Sequence, residues 1–422
     1  EERAEEYHVH LAPSSDFREV THTLPEAAPG DSLAEPAARA IADSVVQARY
    51  GHDPASLKRV GAEPTARPNR RDWPFTYADP TGYPLDQVEA RLTVDLAGSE
   101  VTNASSGVHT PESWERETRS RDTAMQIVGV IAGVIAFLLV LGGAVTAIVY
   151  WARGHFRLWA ALSVAAGVLV LLLALVANNW PSIVAGFDTA QPYLNQLLLG
   201  LLGPVVLGAF LSGGLGLVAG FAHDRIGGSE STPLLRSSVA GLGLGVLGTG
   251  LFSIAGTVGP SLSPPWASYG ALDAALPWLA PVQGRLLIFV GLTVVLLLVA
   301  VALHRWTRAG DRRVLAGLGS AVALGFVVAG VGPAETVTTW AAQGAVLGLF
   351  LAATVRLVWR HDRSLVPMMV AGFILLRGAK AVMTAAHPYA APGELLAIAL
   401  VLAVAVGWTW VLQRRQTASA GA

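Results

Sequence analysis

The sequence contains no cysteine. Disulfide scaffolds, thiol nucleophiles, haem attachment and cysteine-bound zinc or iron–sulfur centres are thereby excluded. Charge is scarce too: 14% of the 422 residues are Asp, Glu, Lys or Arg, against 53% hydrophobic, and mean hydropathy is +0.50. Soluble domains carry about a quarter charged residues, so this composition argues against a wholly soluble fold. With a formal net charge of −1 and no basic excess, nucleic acid is not expected as a partner. Most of the acidic residues lie in the first 122 positions. The chain opens on Glu1 without a charged-then-apolar leader, from which a truncated or processed start is expected.

What the chain has instead is apolar length. From Met125 onward, stretches of about 20 apolar residues recur, the length with which an α-helix crosses about 30 Å of hydrocarbon. About nine are legible, over 125–151, 157–177, 194–221, 238–258, 285–306, 314–333, 340–359, 366–386 and 395–413. The predicted fold class is a polytopic α-helical membrane bundle over 123–413, with a short tail over 414–422. Glycine-rich residues 241–250 have low helix propensity, but lipid forces the backbone to pair internally. Gly241 with Gly245, and Gly216 with Gly220, give the small-residue spacing of closely packed membrane helices.

Basic residues collect in alternate connections, around Arg153 and Arg157, Arg225 and Arg236, Arg308 and Arg312, Arg360 and Arg363, and Arg414 and Arg415. The intervening connections, 178–193, 259–284, 334–339 and 387–394, have almost none and are rich in Pro, Trp and Asn. The positive-inside bias then predicts residues 1–122 outside the cytoplasm and the C-terminus inside.

Residues 1–122 read as a small α+β domain. Ser32 and Glu35 have capping-box spacing, and Leu33, Ala37, Ile41 and Val45 share one face of a helix ending near Tyr50-Gly51. Strands are predicted over Phe17–Leu24, Leu57–Ala62, Trp73–Tyr77, Ala90–Leu96 and Glu100–Ala104, with a hairpin turn at Ala97-Gly98. Thr110 and Pro111 open a second helix that meets no breaker before Met125, so it is expected to continue into the first span.

Several segments carry a resemblance. They are His22-Thr-Leu-Pro-Glu26 with Gly30 to Leu33, Arg71-Asp-Trp-Pro-Phe-Thr-Tyr77, Ala90-Arg-Leu-Thr-Val94, Pro111-Glu-Ser-Trp114, Asn179-Trp-Pro181, Phe187-Asp-Thr-Ala190 and Leu276-Pro-Trp-Leu279. In this order they resemble large bacterial membrane proteins that end in a CPBP (CAAX-protease-like) domain. The resemblance implies a bacterial cytoplasmic membrane and an extracytoplasmic N-terminal domain. It also implies glutamic-type intramembrane proteolysis through a Glu-Glu-x-x-x-Arg motif and membrane histidines. Here Leu276 to Leu279 is followed by Ala280-Pro-Val-Gln-Gly-Arg285, without a glutamate pair; the adjacent glutamates are Glu1-Glu2 and Glu5-Glu6. A general base needs a proton acceptor within reach of its water, and no predicted span offers a glutamate or a mid-membrane histidine. No catalytic residue is assigned.

The sharpest anomaly is Arg377 and Lys380, spaced i, i+3 within the eighth span. Ionisable groups at such depth cost about 2.5–3.5 kcal/mol each unless paired or hydrated, so both are expected to face the bundle. They are candidate ligands for a lipid headgroup or peptide carboxylate, with Glu335 as first partner and Asp188 or Glu394 as alternatives. The plainer reading is a structural ion pair, or a lysine reaching for the membrane surface. His155, His223, His304 and His361 fall at helix C-termini, where unpaired carbonyls favour them, and none has the i, i+4 spacing of a zinc helix. His8 and His10 read as exposed strand residues. Neither a metal nor another cofactor is expected. Asn178, Asn179 and Asp188 share a connection that could guard an entry, while Trp180, Trp266, Trp278 and Trp340 read as an interfacial aromatic belt.

The leading functional expectation is a non-catalytic CPBP relative that binds a partner protein, lipid or peptide. The alternatives are an intramembrane CAAX-type peptidase with a missing or divergent site, and a small-anion or lipid carrier, for which no inverted repeat is visible.

Overall fold

Trp73, Phe75 and Tyr77 alternate along one strand, and in the computed structural model of the chain all three are buried together. Residues 5–11, 17–80, 88–188, 191–226, 233–262, 272–307, 311–385 and 389–420 are described. They form two units: Glu1–Ser120 with Phe187–Gln196, and Arg121–Gly186 with Leu197–Ala422.

In the first unit a hairpin of β1 (Glu6–Leu11) and β2 (Phe17–Thr23) precedes α1 (Glu35–Tyr50). There follow β3 (Lys58–Gly61), β4 (Thr65–Ala66), β5 (Arg71–Asp79), β6 (Glu89–Ala97) and β7 (Glu100–His109). These five make an antiparallel sheet in the order β3-β5-β6-β7, with β4 also beside β5. Gly98, at φ 65°, makes the predicted turn between β6 and β7. β3 pairs with β5 from Thr76 to Ala78 and β4 pairs at Arg71 and Asp72, leaving Trp73–Phe75 uncovered on that side. Pro74, which has no N–H to donate, sits in this gap.

The helix begins without the predicted capping box: Ala34 is the N-cap and makes no side-chain bond, and Pro36 lies in the first turn. Its buried residues are Ala38, Ala42 and Val46, one position beyond the predicted Ala37, Ile41 and Val45. Two alanines let the backbone lie close against Phe75, Tyr77 and Val94, while Ile41 and Val45 pack at the flank. Tyr77 Oη donates to Asp43 at 2.7 Å, and Trp73 Nε1 to the Leu33 carbonyl at 3.1 Å. Gly51, at φ 70°, terminates the helix as expected.

The second helix is α2 (Glu112–Ala152), uninterrupted as predicted. It is followed by α3 (Leu158–Asn178), a short α4 (Trp180–Ala185) within the predicted 178–193 connection, α5 (Tyr193–Arg225) and α6 (Leu234–Ala255). Then come α7 (Leu279–Thr307), α8 (Asp311–Gly330), α9 (Val337–Thr354), α10 (Val366–Met383) and α11 (Ala390–Ala420). Among the described residues, 8 helices are long and apolar enough to cross a membrane. All nine predicted stretches are helical; among the described residues α8 contributes Val314–Gly330 as a shorter apolar helix. The chain is a multi-pass membrane protein. Trp266 and Arg308 lie outside the described residues, as do the side chains of Arg312 and Arg313.

The glycines act as spacing predicts. A side chain at Gly245 would collide with the Met369 carbonyl of α10, one at Gly372 with the Leu242 carbonyl of α6, and one at Gly241 would lie 2.7 Å from the Leu365 carbonyl. Backbone meets backbone along this crossing. Beyond it, Phe221, Leu297, Trp359, Met369 and Leu412 join one core. α9 runs into a π-helical turn, Val355–Trp359, which seats Trp359 in that core.

Candidate functional site

Where α7, α10 and α11 meet, a guanidinium and a carboxylate face each other. Arg285 of α7 donates from Nε and Nη2 to the two oxygens of Glu394 of α11, at 3.0 and 2.9 Å. Both side chains are largely buried, 18% and 12% exposed. The two-point geometry uses both carboxylate oxygens, which is what offsets the desolvation of such a pair. Gly378 of α10 permits the approach: a side chain there would lie 2.9 Å from Ile398 and 3.5 Å from Glu394 Oε2.

Arg377 and Lys380 stand on the flank of this arrangement, and both are exposed. The expected burial fails because Ile374 and Gly378 take the bundle side of α10, rotating 377 and 380 away from it. Arg377 sits 5.3 Å over the ring of Phe373 and within electrostatic range of Arg285. Among the described residues neither Arg377 nor Lys380 forms an ion pair. Glu335 instead accepts the Leu262 amide at 2.7 Å, and the Asp188 backbone is held by Gln196 at 2.6 and 2.8 Å. Among the described residues no ion pair joins Arg377 or Lys380 to Glu335, Asp188 or Glu394; the acid that α10 approaches, Glu394, is held by Arg285.

Arg285 is the residue that sequence reasoning missed as a partner. Placing the span start at 285 puts this arginine at the membrane boundary, whereas α7 begins at Leu279 and carries it nearly two turns into the helix. Two residues earlier, buried Gln283 receives the Asn178 amide at 3.1 Å. Asn178 also accepts from the Leu276 amide at 2.8 Å and from Ala275 at 2.7 Å. It thus ties the end of α3 to the chain entering α7.

The opposite end of the second unit holds a closed polar network. Asp362 accepts from Ser237 Oγ at 2.7 Å, Ser364 Oγ at 2.6 Å and the Ser364 amide at 2.9 Å. Gln413 Nε2 donates to both serine hydroxyls, at 2.9 and 3.3 Å. Each partner is satisfied by another, so the group fastens α6, the α9–α10 turn and α11 together. Nearby, Trp408 Nε1 donates to His223 Nε2 at 3.0 Å and His223 Nδ1 lies 3.0 Å from the Ala219 carbonyl. Indole N–H is a donor only, so His223 is the neutral tautomer protonated on Nδ1. Among the described residues no three His, Asp or Glu side chains are grouped as metal ligands.

No protein-family model, curated protein or solved structure matches the chain.

Proposed function

We propose that the chain is a non-catalytic, CPBP-related protein of the bacterial cytoplasmic membrane that binds an anionic group, from a partner protein, lipid or peptide, at Arg377 and Lys380. The carrying observation is the engagement of Glu394 by Arg285, which leaves two adjacent exposed cations on α10 without an acid partner among the described residues. Three cations and one carboxylate then share this region, an excess of positive charge suited to a phosphate or carboxylate. Exposed side chains on the outer surface of an apolar helix bundle are reached from the bilayer, which makes the phosphate of an anionic lipid the simplest occupant. Basic-loop alternation supports residues 1–122 outside and the C-terminus inside.

Native mass spectrometry of the detergent-solubilised chain tests this reading. Wild type should carry an anionic lipid or peptide, and the Arg377→Gln, Lys380→Gln double variant should lose it while eluting as wild type. Equal retention by both would remove the site. Incubation with a prenylated CAAX peptide should give no cleavage above a heat-killed control; cleavage abolished by a substitution within a span would overturn the non-catalytic assignment.

A further inference from the structure

His22, on β2, is buried to 7% exposure and lies between two carboxylates. Its Nδ1 is 2.6 Å from Glu100 Oε1 at the start of β7, and its Nε2 is 2.9 Å from Glu5 Oε1 just before β1. The Tyr7 ring of β1 stacks on the imidazole at 3.9 Å and 12°. Glu5, Glu100 and Tyr7 are the titratable groups found against His22 among the described residues. The nearby Thr21 to Asn103 bond, 3.4 Å, is neutral.

Proton counting decides what this arrangement is. A neutral imidazole has one N–H and one lone pair, so it satisfies one carboxylate and repels the other; only the imidazolium donates to both. The β1–β2 hairpin has its own two-stranded ladder and shares none with the five-stranded sheet. Of the two contacts, the one to Glu100 reaches β7 and ties the hairpin to the sheet, while the one to Glu5 stays within the hairpin and competes for the same imidazole protons.

We propose that His22 is a proton-operated latch, which as imidazolium holds the β1–β2 hairpin to β7 and on losing its proton releases the hairpin from that edge of the sheet. The electrostatics agree. Burial, the largest influence, pushes the imidazole down, but the hydrogen bonds to Glu100 and Glu5 and their charges together raise it above its ordinary value. A folded-state value above the unfolded one gives stabilisation that is complete below the unfolded value and lost as pH rises through the folded one. The latch is thus closed in mildly acidic solution and opens toward alkaline pH, baring β7, the terminal strand of its sheet.

Hydrogen–deuterium exchange on the full chain in nanodiscs, corrected for intrinsic rates, tests this between about pH 6 and about pH 9, a range that brackets and exceeds the ordinary imidazole value. Protection of the amides of β1 and β2 should fall with rising pH by up to about tenfold per unit, the slope of one proton. Protection in α1 and β6 serves as internal reference and should stay constant. In His22→Gln the profile should be flat. Should that variant fail to fold, Glu100→Gln removes one charge and must shift the midpoint to lower pH. A wild-type profile without pH dependence, an unchanged slope in His22→Gln, or an unmoved midpoint in Glu100→Gln would each overturn the proposal.

Discussion

Glu394 gives both carboxylate oxygens to Arg285 and none to Arg377, although α10 passes close enough for Gly378 to approach Glu394 Oε2. Removing one partner strands the other in a weakly solvated site, which costs about 3–5 kcal/mol for a buried pair. Arg285→Met and Glu394→Gln should therefore each lower the melting temperature in detergent, and Arg285→Met with Glu394→Met should cost less than the two single losses summed. Strict additivity in that double-mutant cycle would show that the two side chains do not couple.

The crossing of α6 and α10 offers an internal control. Gly245→Ala forces a methyl group onto the Met369 carbonyl, whereas an added carbon at Gly243 meets nothing within 4 Å. Overpacking of this kind costs about 1–3 kcal/mol, and a free helical glycine gains about 0.5–1 kcal/mol on conversion to alanine. Thermal unfolding should rank Gly243→Ala at or above wild type and Gly245→Ala well below it.

Trp408→Phe keeps a ring beside His223 but removes the indole donor to Nε2. A buried acceptor that loses its donor costs about 1–3 kcal/mol. The substitution should destabilise the solubilised protein by that order, as read from denaturant or thermal unfolding. An unchanged midpoint would mean that the bond is exchanged for solvent without loss.

The topology is read by reporter fusions. Alkaline phosphatase joined after residue 420 should be inactive, and a fusion in the 334–339 connection active. Protease added to intact spheroplasts should cleave within residues 1–122. Activity of the C-terminal fusion would invert the orientation.

Much of this architecture was legible because lipid and sheet impose simple periods. Apolar runs set the helices, and Trp73, Phe75 and Tyr77 announced β5 by strict alternation. The misses have physical causes. Ala38 and Ala42 carry little hydrophobic signal, so the larger Ile41 and Val45 drew the predicted face of α1 off by one residue. Arg285 was hidden by hydropathy, which trims a helix at its first charge even when the helix continues beyond it. Depth makes Arg377 and Lys380 conspicuous in the sequence, but depth says nothing of rotation about the helix axis, which Ile374 and Gly378 determine. The pairing of His22 with two carboxylates gives no sequence signal, since Glu5 and Glu100 are 17 and 78 positions away.

The gap around Pro74 has a consequence for crowded membranes, where copies of a protein share one plane at high density. A sheet border invites a foreign strand when it offers a long, regular row of unpaired amides. Here that border is cut into a fully exposed four-residue strand bearing Lys58 and Arg59, a register shift, a two-residue strand and an imino acid between them. Any strand arriving from a neighbouring copy would lose its ladder after two or three residues. Replacing Pro74 by valine would mend the row, and with it remove a built-in barrier to zippering between chains.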